Sequence, residues 1–114
     1  MPRREVRLPT PFEGAYEVSA DGPGGTTLSI RRNDDGTYAV ELSIYRLTTQ
    51  DDGVGKWDGN VLTFTATDAA GNPMTWEAVA EDGALAVTVV RSTWSLLAEG
   101  EQFIFEPVTV NAAA

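Results

Sequence analysis

The sequence predicts an all-β protein: an eight-stranded antiparallel up-and-down meander closed as a barrel. Three observations lead there. Apolar and polar residues alternate through most of the chain, and nowhere do apolar residues recur at helical spacing over three turns. Thr, Val, Tyr, Phe and Trp fill the alternating stretches, while Gly, Asp, Asn and Pro punctuate them. Finally, three near-copies, beginning at Asp35-Gly36-Thr37-Tyr38, Asp58-Gly59-Asn60-Val61 and Asp82-Gly83-Ala84-Leu85, each run from a tight-turn signal into a strand. Gly36, Gly59 and Gly83 fall 23 and 24 residues apart, the length of two short strands with their turns.

Residues 1–13 contain Pro2, Pro9 and Pro11 and no periodicity, and are expected as an extended arm. The barrel domain is expected over 14–107 and a low-complexity tail over 108–114. The first strand, 14–20, alternates around Tyr16 and Val18; the second, 26–32, around Leu28 and Ile30. The third, 37–47, carries the row Tyr38, Val40, Leu42, Ile44 against Glu41 and Ser43. A short fourth strand is expected at 54–58, after a polar loop Thr48–Gly53. The fifth and sixth, 61–67 and 74–81, place Leu62, Phe64, Met74 and Trp76 opposite Thr63, Thr65, Thr75 and Glu77. The seventh, 84–91, holds Leu85, Val87 and Val89, and the eighth, 101–106, Phe103 and Phe105. Between them, Ser92–Gly100 is expected as a short helical turn or lid whose Trp94 and a leucine plug the barrel. This is the pattern of antiparallel strands with one buried and one solvated face, with Val90 and Ile104 as apolar exceptions on the polar side.

Closing the sheet hides its edges completely, whereas the alternative, a two-sheet β-sandwich, hides them in part. A sandwich also needs a long crossover, and only Ser92–Gly100 offers the length. In a meander, alternate connections share one end. The three Asp-Gly turns, whose dipeptide suits the positive φ angles of type I′ turns, are therefore expected to stitch one end shut. The longer connections at Asp21–Gly25, Thr48–Gly53, Asp68–Pro73 and Ser92–Gly100 would carry recognition at the other.

The chain has 114 residues and a formal charge of −9, with neither cysteine nor histidine. Disulfides, Cys or His nucleophiles and ordinary zinc sites are excluded. The charge argues against nucleic-acid contacts and anionic membrane surfaces. No apolar run is long enough to span a bilayer, and the basic start lacks a hydrophobic signal core. The compartment is cytoplasmic, or extracytoplasmic if a targeting segment has been removed. The acidic pairs Asp34-Asp35, Asp51-Asp52 and Glu81-Asp82 each sit beside a turn glycine or before one, as turn chemistry alone requires, and no EF-hand spacing is present. With no inward carboxylate in mid-strand and no nucleotide or hydrolase motif, an enzyme is not expected, nor any cofactor.

Gly14-Ala15-Tyr16 at the first strand, together with the meander, resembles the lipocalin-like (calycin) small barrels, whose Gly-X-Trp motif it approaches with Tyr in place of Trp. The resemblance spans 14–106 and implies a fold and a binding role for small apolar molecules. A looser resemblance is to acidic barrel domains of bacterial envelope lipoproteins, including lysozyme inhibitors, although those usually carry cysteines.

Extending the inward rows places Arg46 and Arg91 at the long-loop end, where guanidinium forks would receive a carboxylate or phosphate beside Trp94. Tyr38, Phe64 and Trp76 would line the interior of such a cup. The bland reading is that the arginines reach into water and the aromatics are core. So many large inward side chains favour a solid barrel over a spacious one. Two expectations follow: a monomeric binding module for a small apolar or anionic ligand, or a solid acidic domain that binds a cationic protein.

Overall fold

The computed structural model describes residues 13–21 and 25–108. Apart from Glu13 and Val108, the expected arm and tail lie outside the described residues. Eight strands pair in chain order, all antiparallel, and the last returns to the first to close a barrel. They are β1 Gly14–Glu17, β2 Thr27–Arg32, β3 Tyr38–Ile44, β4 Thr48–Asp58, β5 Val61–Thr67, β6 Pro73–Glu81, β7 Ala84–Arg91 and β8 Gln102–Pro107. Among the described residues the only helical turn is a 3-10 turn at Ser19–Asp21, where the first strand was expected to continue. Among the described residues no helix is long and apolar enough to cross a membrane.

The largest departure from expectation is β4. It begins at Thr48, not at residue 54, and the polar run read as a loop is strand. The β3–β4 connection shrinks to Tyr45–Leu47, with Arg46 in the left-handed region at φ 59° and Leu47 N–H donating to the Ile44 carbonyl. Alternation failed as a signal here because β4 carries a bulge. Val40 pairs with Gly53 but Leu42 pairs with Gln50, so Asp51 and Asp52 together face Glu41. Gln50 and Gly53 both point inward, and the two aspartates both point out.

The core is the barrel interior. Leu28, Val40, Leu42, Leu62, Phe64, Met74, Trp76, Val87 and Phe105 are essentially inaccessible to solvent. Phe64 and Trp76 stack with ring centres 6.1 Å apart, and Trp76, Phe103 and Phe105 continue the aromatic contacts at 6.3 and 6.4 Å. Room for this stack comes from the inward glycines of β4. A Cβ on Gly55 would lie 2.8 Å from the Phe64 Cβ and from the Thr63 carbonyl oxygen, and one on Gly53 would lie 2.7 Å from the Val40 carbonyl oxygen.

The Asp-Gly repeats do share one end, but only one is a type I′ turn. Asp82 and Gly83 both have positive φ, 51° and 83°. At Gly59-Asn60 only the glycine does, at 66°, the pattern of a II′ turn. The third is a five-residue connection, Asn33–Thr37, closed by Asn33 N–H donating to the Thr37 carbonyl, with Gly36 at φ 88°. Asp68–Asn72, at the opposite end, repeats that geometry with Gly71 at φ 89°.

The closing seam is the thinnest part of the wall. β1 pairs with β8 only at Tyr16↔Pro107 and Glu17↔Glu106, and Val108 N–H donates to the Ala15 carbonyl just beyond. Pro107 has no N–H to give, a residue confined to such margins.

The inward glycine of β4 makes a direct prediction. Gly55→Ala drives a methyl into backbone and core atoms, so the unfolding free energy should fall by about 1–3 kcal/mol, as overpacked cores do. Urea unfolding measures this, and an unchanged midpoint would show that the strand yields at no cost.

Candidate functional site

Of the six residues expected to bind a ligand, three form core. Tyr38, Phe64 and Trp76 are at most 2 % exposed. Trp76 is fixed by more than packing. Its indole Nε1–H donates to Gln50 Oε1 at 3.0 Å, and Gln50 Nε2 donates to Met74 Sδ at 3.3 Å. Gln50 is itself buried, and the pair satisfies polar groups that would otherwise be stranded in an apolar interior. Tyr38 sits toward the opposite end, paired with Arg32 and Gly55.

Arg46, Arg91 and Trp94 do lie at the long-loop end, but neither arginine points inward. The left-handed turn leaves Arg46 exposed, its guanidinium carbon 5.2 Å from the centre of the Tyr45 ring. Arg91 is turned out by a bulge: Trp76 pairs with Val89 while Thr75 pairs with Arg91, so Val90 is the extra residue and the parity beyond it inverts. Arg91 therefore joins outward-facing Thr75. Trp94 is half-buried and packs against the core cluster, as Leu47 and Val18 also do. Leu97 is the stopper, 1 % exposed within the core cluster. Ser92 Oγ accepts from Trp94 N–H and donates to the Trp94 carbonyl, holding the plug in shape.

The long-loop end is thus plugged, as expected of Ser92–Gly100, and the end expected to be shut carries a groove. It measures about 280 Å3 and is lined by Tyr16, Ala80, Glu81, Asp82, Leu85 and Pro107, among others. Its floor is apolar and its rim acidic. A second groove, about 200 Å3, lies on the outer wall over β1 to β4, among Ala15, Ser29, Glu41, Ser43 and Thr49. Neither is lined by any of the six expected ligand residues.

The outer wall also bears an apolar stripe. Val61 pairs with Val79, Val79 with Ala86 and Ala86 with Ile104, one outward position on each of β5 to β8. Val61, Val79 and Ala86 are half-buried and Ile104 is 49 % exposed. Asp58 prolongs the row, and Glu77, Glu81 and Glu106 flank it.

Electrostatics follow from where the charges fall. Arg3, Arg4 and Arg7 precede the described residues, which hold five cations against sixteen acids. Several of these acids have work in the fold. Asp52, freed by its bulge, accepts from Thr67 Oγ1–H and, at 2.9 Å, from Thr67 N–H, where β5 has run past its ladder with β4. These bonds hold the Asp52 carboxyl below its ordinary pKa, the hydroxyl contributing most. Asp35 is lowered in the same way by Thr37. Burial pushes the Tyr16 phenol up. Asp68 is buried, with Oδ1 accepting from Ala70 and Asn72 N–H, while Oδ2 has no partner among the described residues. No group of three or more acids is arranged to hold a metal ion among the described residues.

Gln50, Asp52 and the stripe escaped sequence reasoning. The stripe had a visible signal, since Ile104 stands on the polar side of an otherwise alternating strand. Gln50 had none, because a polar residue in a polar run looks like loop. No protein-family model, curated protein or solved structure matches the chain.

Two measurements probe these contacts. Gln50→Leu strands the buried Trp76 N–H and should cost about 1–3 kcal/mol of stability, read from denaturant unfolding; no loss would mean that another acceptor serves. For Asp52, folding lowers the pKa, so the ionised group stabilises the fold fully above its ordinary value of 3.8. That contribution disappears as pH falls from there through the folded value. The stability gap between the parent chain and Asp52→Ala should therefore narrow as pH falls below that value, and a gap independent of pH would overturn the assignment.

Proposed function

We propose that this chain is a non-enzymatic, lipocalin-like barrel that acts through its outer surface, as an acidic module for a cationic protein partner. The observation that carries this reading is the filled interior. A ligand entering the barrel would have to displace Trp76, which is inaccessible, stacked on Phe64 and hydrogen-bonded to Gln50. Small eight-stranded barrels filled by their own side chains offer only their walls and ends for recognition. Here those carry five cations against sixteen acids over the described residues. A field of one sign steers an oppositely charged partner and raises its association rate.

A small anionic ligand at the plugged end is the second reading. It is favoured by Arg46 and Arg91, both exposed at that end without an ion pair among the described residues. Such a ligand would rest on the plug rather than enter the barrel.

The two readings separate in one set of binding measurements. Lysozyme and cytochrome c serve as cationic protein probes, serum albumin as an acidic control, and inorganic phosphate and a fatty acid as small anions. The protein-binding reading expects both cationic probes to bind in about 0.01 M salt and to release at about 1 M, where the screening length falls from roughly 30 Å to 3 Å. Albumin should not bind. Failure of both cationic probes overturns it, and saturable phosphate or fatty-acid binding that Arg91→Gln abolishes establishes the second reading instead.

A further inference from the structure

The apolar stripe on β5 to β8 and the groove beside the β6–β7 turn are continuous. Glu81 pairs with Ala84, one inward–outward step along the hairpin from the pair Val79 and Ala86, and both Glu81 and Ala84 also line the groove. Followed from Ile104, the surface passes Ala86 and Val79, reaches Ala84 and drops into a cleft between Asp82 and Tyr16. The wall elsewhere is mostly Ser, Thr and charged residues, so this run of apolar side chains is out of character with its surroundings. It is also the part of the stripe edged by acids, with Glu77 on one side and Glu81 and Glu106 on the other.

We infer that this continuous stripe and groove is the docking surface for the cationic protein partner, the stripe receiving an apolar centre and the groove an arginine. The inference rests on the proposed function and names where it operates. The stripe spans four strands, roughly 14 Å at about 4.8 Å per strand, enough for a central apolar contact within a polar rim, the usual anatomy of an interface. The groove suits an arginine in particular. Its methylenes would lie along Leu85 and Pro107, and its guanidinium would meet the carboxylates of Glu81 and Asp82 at the rim. The type I′ turn puts Asp82 at the tip of a two-residue connection, where its backbone is held by the hairpin. A second copy of the chain is the wrong occupant, because it would set Glu77, Glu81 and Glu106 against the same acids. Among the described residues, Lys56, beyond Thr63 in the neighbouring row, is the cation near this face.

Matched substitutions test the location while changing the net charge, and so the long-range attraction, by the same amount. Glu81→Gln with Asp82→Asn removes two charges from the groove, and Glu41→Gln with Asp51→Asn removes two from the outer wall of β3 and β4. Ile104→Ser and Val54→Ser remove exposed apolar side chains from the stripe and from outside it. With lysozyme as probe, the groove pair and Ile104→Ser should each weaken binding by about fivefold or more, as interface anchors do. The two control changes should alter it by less than about twofold, as dispersed surface charges do. Equal weakening by both charge pairs would overturn the inference in favour of diffuse attraction, and indifference to the groove pair and Ile104→Ser would place the site elsewhere. In either case the proposed function survives; only failure of the parent chain to bind any cationic probe removes that. An amide spectrum of the full chain carrying Arg3→Gln, Arg4→Gln and Arg7→Gln completes the test. Unchanged shifts at Glu81–Ala84 support an external partner, whereas shifts concentrated there would show that the chain's own arginines fill the groove and overturn the partner assignment.

Discussion

The volume inside eight closed strands is the constraint on which the rest of the structure depends. Eight closed strands enclose room for side chains or for one small ligand; here side chains fill it, and at close-packed density the large inward residues need small neighbours. Trp76 and Phe64 take the central share, and β4 answers with Gly53 and Gly55. Such glycines weaken a strand on their own account, and their compensation is the aromatic stack that they admit. Gln50 completes the arrangement by accepting from the indole N–H that a buried tryptophan must place somewhere. The bulge at Asp51-Asp52 keeps both Gln50 and Gly53 inward, so packing, hydrogen bonding and strand irregularity are one solution to one problem.

Much of this was legible in the sequence. The inward rows of β2, β3, β5, β6 and β7 could be read residue by residue, because strict alternation and a solvated outer face leave a clear mark. The regular turns predicted closure, and the described architecture is a closed antiparallel barrel. Legibility stopped where the period of two was broken. At β4 the bulge placed two aspartates on one side and a glutamine inside, and the row dissolved into what looked like loop. At β7 the bulge at Val90 carried Arg91 from the expected inner face to the outer one. Arg46 left its row because the chain had already turned, at a left-handed residue that no periodicity announces.

The candidate site was harder to find, since it follows from which end of the barrel is sealed. Counting connection lengths suggested that long loops mean an open mouth. The longest of them, between β7 and β8, could also be read as a plug, and it supplies Leu97 to the core with Trp94 packed against it. A long connection has enough chain to fold back and cover the end; a two-residue turn does not. The short Asp-Gly turn at Asp82-Gly83 accordingly leaves the groove beside it uncovered. Length in a loop can measure closure rather than access.

The thin seam between β1 and β8 has a mechanical consequence. Residue 13 precedes β1 and Val108 follows β8, so the chain leaves the barrel on both sides of that seam and at the same end. A force applied through the segments beyond these two points would act across the hydrogen bonds rather than along them. It would part Val108 from Ala15 first, then Pro107 from Tyr16, then Glu106 from Glu17, one contact at a time. Strands loaded in that direction peel like a zipper, whereas strands pulled lengthwise must break their bonds together. If neighbouring domains or a tether ever pulled on this barrel, it would yield at low tension and from that edge, exposing β1 and β8 while the aromatic stack and its glutamine remained assembled behind them.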